Sequence, residues 1–219
     1  MGVLYNSRIV TDGLVLCLDA GDRMSYPGAG TTWTDLSKNK NNGTLTNMDS
    51  SNFSSDGAGS LVFDGTDDYV DLGSQVANLS TFTLSYWINP NQADVFGSIS
   101  LMPIGWDDNY LDRVIYYSTR RDDLFFWFGP TSADRVSISY NTVNDNTWYN
   151  FVITRGSTYV KMYQDNILLG QSTTTGDNVN VQWIGKETPA NIALLHVYNR
   201  ALTPDEIRQN YLATKGRFQ

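Results

Sequence analysis

Short stretches of alternating apolar and polar residues recur along this chain. The clearest runs from Phe82 to Ile88. In an extended strand Phe82, Leu84, Tyr86 and Ile88 share one face, and Thr83, Ser85 and Trp87 share the other. Further strands are predicted at Leu14–Leu18, Leu61–Asp64, Tyr69–Leu72, Ile99–Ile104, Arg113–Ser118, Leu124–Phe128, Arg135–Tyr140, Trp148–Thr154, Val181–Gly185 and Asn191–Tyr198. Tyr159–Tyr163, a turn at Asp165-Asn166 and Ile167–Leu169 read as a hairpin. About a dozen short strands separated by turn residues predict a β-sandwich.

One segment breaks the two-residue period. Thr203 is placed as a helix N-cap, Pro204 at the first helical position and Glu206 three residues after the cap, where it completes a capping box. Ile207, Tyr211 and Leu212 form an apolar stripe, and Gly216 is expected to end the helix. From Ser37 to Ser60 the chain is nearly all Ser, Asn, Thr, Gly and Asp, which predicts a long surface excursion with at most one short strand, near Thr44–Thr46. No repeat and no linker divides the 219 residues, so one domain is expected over 1–219, with an arm at 1–12 and the helix at 203–216.

Charge narrows the range of partners. The net charge is -8 and the Lys+Arg count is 15 against 23 Asp+Glu, which excludes a basic footprint for nucleic acid or an anionic membrane. Only Glu187 and Glu206 are glutamates, so most of the acidity is Asp, a turn residue. No apolar run is long enough to insert in a membrane, and Met1–Val10 lacks the basic-then-apolar order of a signal peptide. Synthesis in a cytoplasm is expected. The single cysteine, Cys17, sits in an apolar run and reads as a buried hydrophobe. The single histidine, His196, reads as a core or sheet-face residue, and one His with one Cys argues against a zinc site.

The ordered set of segments resembles a known family. Phe63-Asp-Gly-Thr-Asp-Asp-Tyr-Val70 is followed by Phe82-Thr-Leu-Ser-Tyr-Trp-Ile88, then Trp148-Tyr-Asn-Phe-Val-Ile-Thr154, Val160-Lys-Met-Tyr163, Ile184-Gly185, Ile192–Leu202 and the Glu206-Ile207 helix. This order is similar to the laminin-G-like, concanavalin-A-like lectin/glucanase superfamily. The resemblance implies an all-β fold, a jelly-roll sandwich of two antiparallel sheets with one short C-terminal helix. Leu18–Gly21, Ser25–Ser37, Asn41–Leu45 and the ending Tyr211–Phe218 resemble stand-alone laminin-G-like proteins of tailed bacteriophages. That likeness implies a structural protein on the virion surface, in capsid decoration or a tail fibre. Its partners would be other virion proteins and further copies of itself.

Related glucanases place two glutamates on one strand, and this chain has no such pair, so it is expected not to be an enzyme and to carry no catalytic residue. The alternatives to the virion reading are a lectin-like module for host-surface polysaccharide and, less favoured, a glycoside hydrolase. A sugar site needs an aromatic platform and polar groups for the hydroxyls. Trp106, Asp107, Asp108, Asn109, Tyr110 and Arg113 supply both in one segment, with Trp87 or Trp127 as additions from the concave face. Trp33 and Trp148 read as core anchors. No cofactor is expected. Structural calcium stays open, because Gly65–Asp71 and Gly105–Asp112 are dense in Asp, but no ligand is assigned.

Overall fold

The structure is a computed structural model of the chain. It describes residues 8–73, 76, 79–91, 100–101, 104–105, 116–118, 123–127, 135–138, 143–173 and 181–219, with the backbone alone for those from 100 to 138. The first strands are β1 (Leu14–Asp19), β2 (Thr32–Trp33), β3 (Gly43–Thr46), β4 (Phe53–Ser54), β5 (Ser60–Asp64), β6 (Tyr69–Asp71) and β7 (Phe82–Pro90). The middle is β8 (Ser100–Leu101), β9 (Ile104–Gly105), β10 (Tyr116–Ser118), β11 (Asp123–Trp127) and β12 (Arg135–Ile138). The last are β13 (Tyr149–Arg155), β14 (Val160–Gln164), β15 (Ile167–Ser172), β16 (Trp183–Ile184) and β17 (Pro189–Tyr198), followed by α1 (Pro204–Thr214).

One sheet has eight strands in the order β15-β14-β13-β7-β17-β5-β4, with β1 added beside β17. Strand β17 borders β7 along one edge; β5 and β1 divide the other. A second sheet runs β2-β3-β6-β16-β9 and a third runs β12-β11-β10-β8. Only residues 102–103 separate β8 from β9, so the chain passes from the third sheet straight into the second. Every described pairing between these strands is antiparallel. The hairpin at Asp165-Asn166 turns with φ of 50° and 68° at its two residues, the left-handed pair a two-residue hairpin requires.

The alternation in β7 is realised as written. Phe82, Leu84, Tyr86 and Ile88 point into the main core with Phe151, Ile153, Ile192, Leu195 and Val197. Trp33, Leu45, Val70 and Ile184 meet them from the five-stranded sheet. Each large apolar side chain fully buried there contributes on the order of 1.5–3 kcal/mol. The opposite face of β7 is buried too. Trp87, Ala193 and Leu194 lie beneath Phe218, with Trp148 and Tyr211 packed against them. Val152, Tyr163 and Tyr198 lie beneath Val10, Leu202 and Ile207. The C-terminal segment thus caps the outside of the eight-stranded sheet.

Local chemistry explains why the cap holds. Thr203 Oγ1 accepts from the Glu206 amide, and the Glu206 carboxylate accepts from the Thr203 amide, the expected capping box. Arg200 makes two hydrogen bonds to the same carboxylate, at 2.7 and 3.0 Å, which holds it down to about 2. The helix end differs from expectation. Gly216 does not stop the chain in a left-handed conformation; Lys215–Arg217 continue as a 3-10 turn that carries Phe218 onto Trp87. Arg217 then binds both carboxylate oxygens of Asp19 at 2.8 Å and the Gly57 carbonyl at 3.1 Å. Gly57 has φ of 61°, and a Cβ there would stand 2.7 Å from the Phe218 ring, so only glycine lets the two pass.

The polar stretch 37–60 is also more ordered than its composition implies. Asp35 is fully buried. One carboxylate oxygen accepts from the Cys17 and Ser37 amides, and the other from the Ser37 hydroxyl and the Asn41 amide. That one side chain ties the excursion to β1. Met48 is buried behind it, and β4 pairs with β5.

Candidate functional site

The two outer faces of the sandwich differ. On the five-stranded sheet the register places Thr32, Thr44, Asp71, Trp183 and Gly105 in one row across β2, β3, β6, β16 and β9. Thr46 and Tyr69 are opposite each other in the next row. Val70 and Ile184, one residue away, point into the core. Strand alternation therefore turns Tyr69, Asp71 and Trp183 outward.

Trp183 is the centre of this face. It is 7% exposed, and its indole N–H is buried with no hydrogen-bond partner among the described residues. A buried donor without a partner costs on the order of 1–3 kcal/mol, so its orientation calls for an explanation. The Lys186 ammonium lies 5.7 Å from the Trp183 ring centroid and 5.8 Å from that of Tyr69. Asp71 Oδ1 accepts from the Gly73 amide at 2.8 Å. Its second oxygen has no partner among the described residues. A buried indole with an unpartnered N–H thus lies in one row with a carboxylate acceptor and two exposed threonines.

The β5–β6 turn adds an acidic corner immediately before Tyr69. Carboxylate oxygens of Asp64, Asp67 and Asp68 lie within 4.8 Å of one another. Asp64 Oδ1 accepts from the Thr66 amide at 2.7 Å, and this holds the carboxyl below its ordinary value. Asp68 accepts from the Asp64 amide and from Asn52, yet burial, with help from the Asp64 and Asp67 charges, pushes it up. The oxygens left over are hard ligands of the kind a calcium ion takes, though they supply only part of its six to eight.

The residues singled out from the sequence fare differently. Trp106, Asp107, Asp108, Asn109, Tyr110 and Arg113 lie outside the described residues, as does the side chain of Trp127. Their segment begins at the residue after Gly105, which pairs with Trp183. Trp87 is no part of an open face. It is 1% exposed, stacked on Phe218 at 4.2 Å and on Tyr211 at 5.7 Å, and its N–H donates to Thr214. Trp33 is fully buried in the core, whereas Trp148 is half-buried and donates to Asp56. His196 is buried on the capped face, where desolvation lowers it to about 4. Burial, with the nearby aspartates, pushes the Cys17 thiol up to about 12, which removes it as a nucleophile. The sequence alone marks neither Trp183 nor Lys186 as a site residue, and Tyr69 and Asp71 enter only within the Asp-dense Gly65–Asp71 segment. The signal was present in Tyr69-Val-Asp71 and Trp183-Ile184, where each apolar core residue has its outward neighbour beside it.

Comparison with known proteins fits this architecture. No curated protein matches the sequence. Among solved structures, a Trypanosoma rangeli sialidase in complex with the inhibitor DANA superposes with a TM-score of 0.68 at 18% identity, over 93% of this chain and 33% of the sialidase. Domain 4 of AbnA, a GH43 extracellular arabinanase from Geobacillus stearothermophilus solved with arabinotriose, gives 0.67 at 16% identity, over 93% of this chain and all of that domain. The binding domain of botulinum neurotoxin serotype D gives 0.59 at 14% identity, over 92% of this chain and 52% of that one. The chain spans about a third of the sialidases it superposes on. These likenesses correct one expectation. Enzymes were set aside because no glutamate pair lies on one strand, yet the neighbours are mainly sialidases and an arabinanase, glycoside hydrolases built on or around this same sandwich. A missing glutamate pair is thus no ground for exclusion. The lectin-like jelly roll is common to all of them, and the family model for the concanavalin A-like lectin/glucanases superfamily matches residues 64–208, so the chain belongs to that superfamily.

Proposed function

We propose that this chain is a carbohydrate-binding domain and that sugar docks on the outer face of the five-stranded sheet, over Trp183. The observation that carries this reading is the outward-turned indole whose N–H has no partner among the described residues, beside Tyr69 and an Asp71 oxygen that likewise has none among them. A sugar ring presents an apolar face to such a plate and hydroxyls to such acceptors, and it supplies the missing hydrogen-bond partner. The same proposal takes in Trp106, Asp107, Asp108, Asn109, Tyr110 and Arg113 on the sequence alone, since they follow Gly105, the cross-strand partner of Trp183. Calorimetric titration with arabinan, galactan and glucan oligosaccharides tests the reading. Saturable binding that weakens in both Trp183→Phe and Trp106→Ala is expected. Binding unaffected by either change counts against the site, and no binding to any of the three counts against the function.

A second reading, glycoside hydrolysis, is favoured by one feature. Asp64 and Asp68 share a turn, with carboxylate oxygens within 4.8 Å, while their environments push their protonation in opposite directions, as in an acid and carboxylate pair. Release of reducing ends from the same oligosaccharides, lost in Asp68→Asn, supports it; no release retires it. The virion setting is a separate proposal and rests on the likeness of the front and end segments to phage proteins. Locating the chain on an assembled particle tests it, with other virion proteins and further copies of the chain as the expected neighbours.

A further inference from the structure

We infer that the Trp183 face selects neutral, hydroxyl-rich saccharides and discriminates against sugars that carry a carboxylate. The inference rests on the carbohydrate reading above and adds the charge class of the ligand.

Four carboxylates lie on or beside the platform. Asp71 is in the Trp183 row, cross-strand to it. Asp64, Asp67 and Asp68 are gathered within 4.8 Å of one another at the turn that leads into Tyr69. Among the described residues the cation at these rings is Lys186, whose ammonium lies 5.7 Å from the Trp183 centroid and 5.8 Å from that of Tyr69. The chain as a whole carries a net charge of -8. The local field is therefore negative, and like charges brought together at a binding face are rejected.

The hydrogen-bonding inventory agrees. Asp71 is fixed by the Gly73 amide through Oδ1, so its other oxygen is held in place as an acceptor. A carboxylate acceptor needs a donor from the ligand, which a hydroxyl supplies and a second carboxylate does not. The Trp183 N–H is a donor that a ring oxygen or hydroxyl satisfies without any charge. Thr44, opposite Asp71, offers an exposed hydroxyl that both donates and accepts.

The test sets each neutral ligand against a carboxylate-bearing counterpart. The full chain, in a buffer of low ionic strength with chelator present, is titrated with free galacturonan trimer and its methyl ester, and with lactose and 3′-sialyllactose. The neutral member of at least one pair is expected to bind at least about fivefold more tightly than its acidic partner, with the gap closing as salt is added. Asp67→Lys, a change on an exposed side chain, is expected to narrow the same gap. A smaller gap in wild type, or one that favours the acid, overturns the inference while leaving carbohydrate binding intact. A gap that Asp67→Lys and salt leave unchanged also overturns it, since the discrimination then has a steric origin. If neither member of either pair binds, and the arabinan, galactan and glucan oligosaccharides also fail, the carbohydrate reading and this inference fall together.

Discussion

Trp87 and Trp183 occupy matching places, each on the outward side of a strand in one layer of the sandwich, and the protein treats them in opposite ways. Trp87 is roofed by Phe218 and Tyr211, and its N–H is satisfied by Thr214. Trp183 is flanked by Tyr69, Asp71 and Lys186, and its N–H has no partner among the described residues. The difference lies in what the chain lays over each sheet. Residues 204–218 cover the eight-stranded sheet with a helix, a turn and an aromatic plug. An indole fully packed and hydrogen-bonded serves stability. Trp183 keeps an unused donor, as the fully buried Trp33 of the core also does, but of these two only Trp183 is turned to the outer side of its sheet.

Truncation is the strongest way to break this contrast. Trp87→Ala removes the centre of the capped face and is expected to cost about 3–5 kcal/mol in denaturant unfolding. Phe218→Ala is expected to cost somewhat less, since it lies at the rim. Equal losses for Trp87→Ala and a polar surface change would mean that the cap is not a packed layer.

Acid acts on the same face. His196, buried there with Asp19 and Arg217 nearby, has its proton affinity lowered from 6.5 to about 4. Between those values the unfolded chain takes up a proton that the folded chain refuses, so stability rises with pH across the window. Stability from this group is full above about pH 6.5 and falls as the pH drops toward 4. Glu206 titrates near 2, and its contribution is present above 4.5, so it is lost at the bottom of that window and below it. Urea midpoints measured through this range should decline in wild type, and the decline should flatten in His196→Gln.

A milder pair sharpens the comparison. Trp87→Phe keeps a ring and deletes the bond to Thr214, for a loss of about 1 kcal/mol. Trp183→Phe deletes a donor that has no described partner, so unfolding should change little while affinity for oligosaccharide falls about tenfold. Equal stability losses in the two variants would show that the Trp183 N–H is already satisfied in the free protein. The smallest expected change lies away from both faces. Asn166→Gly, at φ of 68° in the β14–β15 turn, should stabilise by about 0.5 kcal/mol because glycine adopts that conformation without strain.

What the sequence disclosed follows from how local each signal is. The β7 alternation and the Thr203–Glu206 capping box depend on neighbours a few residues apart, and both are present as read. The role of Asp35 depends on amides at Cys17 and Asn41, distant along the chain or hidden in a polar run, so composition alone suggested an excursion. Gly216 was read as a stop because glycine commonly ends helices; the Arg217–Asp19 pair and the Phe218 stack draw the chain onward instead. The face around Trp183 needs the pairing of β6 with β16, which are separated by more than a hundred residues. No window on the sequence contains it.

The two ends of the described chain are stitched together. The Val10 amide donates to Asn210, Tyr198 donates to the Val10 carbonyl, and Gln209 donates to the Arg8 carbonyl. The described N-terminal residues and the C-terminal helix therefore share the layer opposite Trp183. A bead or a sensor chip tethered at Gln219 will hang from the back of the sandwich and hold its front toward the solution.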